Sequence, residues 1–192
     1  MKEAVAKLRA LFAEKGERLA ARRLVDAVAR QARRAEFYGN GAVADTLDGR
    51  FDLTALHAWI VLSALKAEPR GRTAQALTDL LFRQFDDALR EMGVGDLSVA
   101  RKMKGFASAF YGRLGAYDAA VAKGPAEGAA AIEEALARNL YRDAPVAPAI
   151  LAAMAAYVAA ARAGLEREGL DALLAGTASF PPPPAIAPEA AP

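Results

Sequence analysis

Cysteine is missing from this 192-residue chain, histidine and tryptophan occur once each, and only 7% of the residues are aromatic. Without cysteine there are no disulfides, thiolate nucleophiles or cysteine metal sites. Any Ser-His-Asp or Cys-His arrangement would have to run through His57, which lies inside an apolar run. A core or interface histidine is the expectation there, ahead of a ligand or base. A zinc site would need carboxylates for its other ligands, and no spacing suggests one. β-Branched residues are also sparse, while alanine, leucine, arginine and glutamate dominate, a mixture that favours helix over sheet. The expectation is an all-α, non-enzymatic protein with no metal and no cofactor.

Long hydrophobic runs are scarce as well. Met1–Gly16 has no continuous apolar segment of the secretory kind, and its acids and want of serine disfavour a transit peptide. The longest charge-free run lies between Asp143 and Arg162, but it holds Pro145 and Pro148 and is mostly alanine. Its usable helix, Ala149 to Ala161, reads as too short and too weakly hydrophobic to cross a bilayer core of roughly 30 Å. The chain is expected to be cytoplasmic, with at most peripheral contact at the inner membrane. Net charge is small, +2, but unevenly placed: residues 1–34 carry ten Lys/Arg and four acids, so that segment is +6 and the remainder −4.

One domain with a real core is what this length supports. Helical periodicity predicts a bundle of about six to seven helices. Residues 1–16 read as a basic arm or short helix ended by Gly16, and 17–175 as the helical domain. Residues 176–192, with the run Pro181-Pro-Pro-Pro184, read as a disordered tail. A helix over about 17–36 segregates Leu24, Val25, Val28 and Ala32 from Arg18, Arg22, Arg23, Arg30, Arg33 and Arg34. The central helix, 52–67, is apolar nearly all round, with Asp52 as its N-cap and the polar turn Asp48-Gly49 before it. The strongest stripe belongs to a helix over about 97–123: Val99, Met103, Phe106, Phe110, Leu114, Tyr117 and Val121.

Each chemically distinctive residue has a structural and a functional reading. Trp59 is a packing residue or a binding aromatic. Asp45, Asp48 and Asp52 fit capping and turn formation better than a calcium loop, which needs ligands at alternate positions and a terminal glutamate. Gly93-Val94-Gly95 follows a helix and carries no lysine, so it reads as an interhelical turn rather than a phosphate loop. The arginine face and a second basic face, Arg101, Lys102, Lys104 and Arg113, are either solvated or directed at an anion. RNA phosphates, lipid headgroups and an acidic protein all remain open as that anion.

Several blocks in order carry a resemblance: Asp45-Thr-Leu-Asp-Gly-Arg-Phe-Asp-Leu-Thr-Ala-Leu-His57, then Phe85-Asp-Asp-Ala-Leu-Arg-Glu-Met-Gly-Val-Gly-Asp96, then Phe110-Tyr-Gly-Arg-Leu-Gly-Ala-Tyr117, and Leu136-Ala-Arg-Asn-Leu-Tyr141. Over about residues 20–175 the chain resembles the ubiquinol–cytochrome c chaperone family, in the form of a bacterial member. The resemblance implies an all-helical assembly factor for the cytochrome bc1 complex of the respiratory chain, with cytochrome b as its client. For mitochondrial members it further implies a small partner protein and a position near the ribosome. The matching positions are Asp48, Gly49, Arg50, Phe51, Asp52 and His57; Arg90, Glu91, Met92, Gly93, Val94, Gly95 and Asp96; and Tyr111, Arg113 and Tyr117. Client or partner contact is expected among these, joined by Trp59 and Met103, with Met92, Met103, Phe106 and Trp59 lining an apolar groove. Arg22, Arg23, Arg30, Arg33 and Arg34 are the expected contacts to an anionic surface, ribosomal or membrane.

Overall fold

The computed structural model describes residues 2–39 and 42–184, and the side chains of these apart from 2–13, 125 and 126. Eight helices and no strands make up the described residues: α1 Lys2–Ala32, α2 Ala35–Tyr38, α3 Leu47–Leu65, α4 Arg72–Glu91, α5 Asp96–Val121, α6 Gly124–Asn139, α7 Pro148–Glu168 and α8 Leu170–Leu174. The all-α bundle expected from composition is what forms, with eight helices where about six to seven were expected; α2 and α8 are short.

α3 is the hub, and its sequence explains why. It packs against α1, α5 and α7 and touches α4 and α8. A helix with neighbours on every side needs an apolar surface all round, and Leu53, Ala55, Leu56, Ala58, Ile60 and Val61 are all fully buried. Burial of each large aliphatic side chain stabilises the fold by roughly 1.5–3 kcal/mol before entropy is counted. α4 packs along α1 through Leu77 and Leu81, and α6 bridges α5 and α7.

Four local expectations are corrected. Gly16 does not break the first helix: α1 runs through it, since a single exposed glycine costs a helix only about 1 kcal/mol. α3 begins five residues before Asp52, at Leu47, with Thr46 as N-cap accepting from the Gly49 N–H at 3.1 Å. The stretch Asp48–Asp52 therefore lies within the first two turns of the helix, and Gly49, Phe51 and Asp52 within it are buried. α7 is longer than Ala149–Ala161: its 21 residues reach the length and apolarity of a membrane span, and about a third of that stretch is buried in the bundle. The expected tail also begins as packed chain. From Gly176 to Pro184 the irregular segment lies on the bundle, with Phe180 edge-on to His57 at 5.2 Å and Pro183 buried. Residues 185–192 lie outside the described residues.

Candidate functional site

The first turn of α3 sits between two structures of opposite character, a buried ionic knot beneath it and an open apolar groove beside it. The knot centres on Asp52, which is wholly buried. Its carboxylate accepts from the Arg113 guanidinium of α5 at 2.6 Å and from Arg142 Nε at 2.6 Å. Arg142 also reaches Asp48 at 3.0 Å. The α6–α7 loop delivers Arg142 with both it and Asp143 in the left-handed region, φ 55° and 59°, where non-glycine residues are strained. Burial pushes the Asp52 carboxyl above its ordinary pKa, and the two arginines oppose that shift. Each Arg113 guanidinium nitrogen is engaged: it also donates to the carbonyls of Ala109 and Asn139 and lies 5.3 Å over the Phe51 ring.

Phe51 joins the knot to the groove. Its ring packs 4.9 Å from Phe106 and 5.3 Å from Phe85, giving an aromatic floor drawn from α3, α4 and α5. Leu47 and Met92, 47% and 54% exposed, flank the opening, a level of exposure unusual for large apolar side chains. The pocket holds about 210 Å³, and its polar rim includes Arg33, Tyr38 and Arg50.

A second polar chain runs through the core. The His57 Nδ1 lies 2.8 Å from the Leu53 carbonyl, so that nitrogen carries the proton, and Nε2 accepts from the Tyr157 hydroxyl at 2.7 Å. Tyr157 in turn accepts from Gln31 Nε2 at 3.0 Å, and Gln31 also donates to the Pro181 carbonyl at 2.9 Å. Desolvation lowers the His57 pKa to about 4 and keeps the ring neutral. Among the described residues no three His, Asp or Glu side chains converge as a metal site would.

A family model described as ubiquinol-cytochrome C chaperone matches residues 40–180, nearly three quarters of the chain. The chain belongs to that family. A solved structure described as the Cbp3 homolog from Brucella abortus is 33% identical, with a TM-score of 0.76 over 94% of this chain and 96% of that one. A search of curated proteins gives no match. The resemblance read from the sequence blocks is thus established, and the matched region contains the whole ionic knot and most of the groove.

The family positions divide by location. Arg50, Phe51 and Met92 meet at the groove, where Phe106 joins them. Asp52, Arg113 and Asp48 meet in the knot, with Tyr117 buried beside it; burial raises the Tyr117 pKa. Trp59 does not line a groove. It is 1% exposed, packs against the Tyr117 ring at 5.0 Å in a tilted arrangement and donates from Nε1 to Asp118 at 2.9 Å. His57 is equally buried. Glu91 and Asp96 are exposed on the α4–α5 turn, where Arg90 pairs with Asp86 and Asp96. Tyr111 is 56% exposed and touches Phe82, while Met103 is half-buried outside the groove lining.

Arginines divide in the same way. Arg113 leaves the second basic face, its side chain only 12% exposed because Asp52 draws it inward. Arg23 donates to the Ala175 carbonyl and Arg34 pairs with Glu36, whereas Arg22, Arg30 and Arg33 form no ion pair among the described residues. Arg142, Leu47 and Tyr38 were not singled out from sequence. Arg142 is 90 residues from its carboxylate partner, a separation no local pattern encodes.

Proposed function

We propose that this chain is a non-enzymatic assembly chaperone of the ubiquinol–cytochrome c reductase (bc1) complex, with newly made cytochrome b as its client. Membership of the chaperone family carries the reading. The groove supplies a physical means. A client that belongs in a membrane presents apolar side chains, and these are held reversibly by an exposed, adaptable apolar surface. Met92 and Leu47 provide that surface over the rigid floor of Phe51, Phe85 and Phe106. The buried knot keeps the floor in register, because Arg113 grips Asp52 and covers Phe51 at once. Binding of this kind calls for no nucleophile, base or metal.

Deleting the gene in its own cell should lower assembled bc1 complex while leaving the cytochrome b transcript unchanged. A plasmid copy should restore the complex, and a Met92→Glu copy, folded but charged at the groove, should not. Normal complex levels in the deletion strain would overturn the reading.

A further inference from the structure

The groove lining is biased in charge as well as apolar. Arg33 approaches it from the turn just past the end of α1 and Arg50 from the first turn of α3, and no acid lines it. Among the described residues, Asp45 is the acid paired with either arginine, at 2.7 Å from Arg50 Nε. The remaining N–H groups of Arg50 and the whole Arg33 guanidinium form no hydrogen bond among the described residues. Glu91 ends α4 nearby in sequence, yet lies outside the lining. The other polar side chains of the rim, Tyr38, Thr54 and Gln84, are neutral.

Size narrows the occupant further. At about 210 Å³ the pocket falls below the roughly 300–1,000 Å³ of sites that enclose a drug-sized molecule. It suits one or two bulky apolar side chains of a larger partner. We infer that the groove selects an acidic–apolar helical segment: bulky apolar residues seated on Phe51, Phe85 and Phe106, with a carboxylate one turn away between Arg33 and Arg50. This rests on the client reading above and specifies which part of a client is held.

The arginines are exposed, with Arg50 62% so, and an exposed pair by itself contributes little. Docking changes that, because the apolar segment covers the mouth and removes water from around the guanidiniums. The carboxylate then decides between segments of equal hydrophobicity, and the planar Arg fork favours a carboxylate over a neutral amide.

Three fluorescein-labelled helical peptides, identical except for Glu, Gln or Lys one turn from a pair of leucines, test this on the full chain. Fluorescence anisotropy should rank them Glu, Gln, Lys, with about tenfold between the ends at low salt and less at high salt. Arg33→Glu with Arg50→Glu should reverse the order, and circular dichroism of that variant should match the parent. Equal binding of all three peptides, each abolished by Met92→Glu, overturns the charge selection and leaves the groove as client site. Binding of none, together with normal bc1 levels in a Met92→Glu strain, removes both. Retention on phosphatidylglycerol vesicles without peptide binding, or self-association lost in the same variants, gives the groove to a lipid surface or a second copy and overturns the inference.

Discussion

Asp52 shows how much one residue can carry that its sequence neighbourhood does not display. In sequence it looks like a helix cap; in the fold it is a buried anion held by Arg113 and Arg142 from two distant elements. Removing one partner of a buried pair leaves the other charge uncompensated, and that costs about 3–5 kcal/mol. Asp52→Ala should therefore destabilise by about 3 kcal/mol or more, lowering Tm by roughly 10 °C in a domain this size. Asp48→Ala removes a carboxylate that is 57% exposed and should change stability by less than about 1 kcal/mol. Thermal unfolding followed by circular dichroism compares the two, and equal effects would mean that the knot is not buried in solution. The family blocks singled out Asp48, Arg50, Phe51 and Asp52. Their division into knot and groove was not, because helical phase decides it and the true start of α3 was hidden by a sequence that reads as a turn.

At the scale of elements, periodicity located the long helices and misjudged what interrupts them. α5 announced itself through a stripe that the structure buries or half-buries, with Val99, Phe110 and Tyr117 inside the core. Glycine misled twice. Gly49 looked like the centre of a turn, but a Cβ there would lie 2.0 Å from the Ala44 carbonyl oxygen, so the residue is glycine for close approach inside a helix. Gly16 looked like a boundary, yet α1 continues through it with nothing near a would-be Cβ. The second case has a test of definite sign. In a continuous exposed helix, Gly16→Ala should stabilise by about 0.5–1 kcal/mol, read as a higher urea midpoint at unchanged slope. A boundary at Gly16 would give no gain.

At the scale of the whole molecule, the segment after α8 closes the core, and the one histidine reports on that closure. Gln31 links Tyr157 to the Pro181 carbonyl, and Phe180 covers the His57 ring, so α1, α3, α7 and the chain after Gly176 meet at a single point. Proline content hid this packing, since a segment without helical period gives no sign of which residues face inward. The consequence is measurable through pH. His57 is held neutral with a pKa of about 4, against 6.5 when free in water. The unfolded chain therefore takes up a proton below about pH 6.5 that the folded chain refuses until about pH 4. Its contribution to stability is complete above pH 6.5 and is lost as pH falls through that window, amounting to about 2 kcal/mol by pH 5. Deleting residues 177–192 should let water reach the ring and raise its pKa towards 6.5, narrowing the window. Because the chain has one histidine, its Cε1–H proton resonance can be followed without assignment. In the full chain that resonance should stay unshifted down to about pH 5, and in the truncated chain it should titrate near pH 6. A full chain whose histidine titrates near 6.5 would mean that the segment does not seal the core in solution.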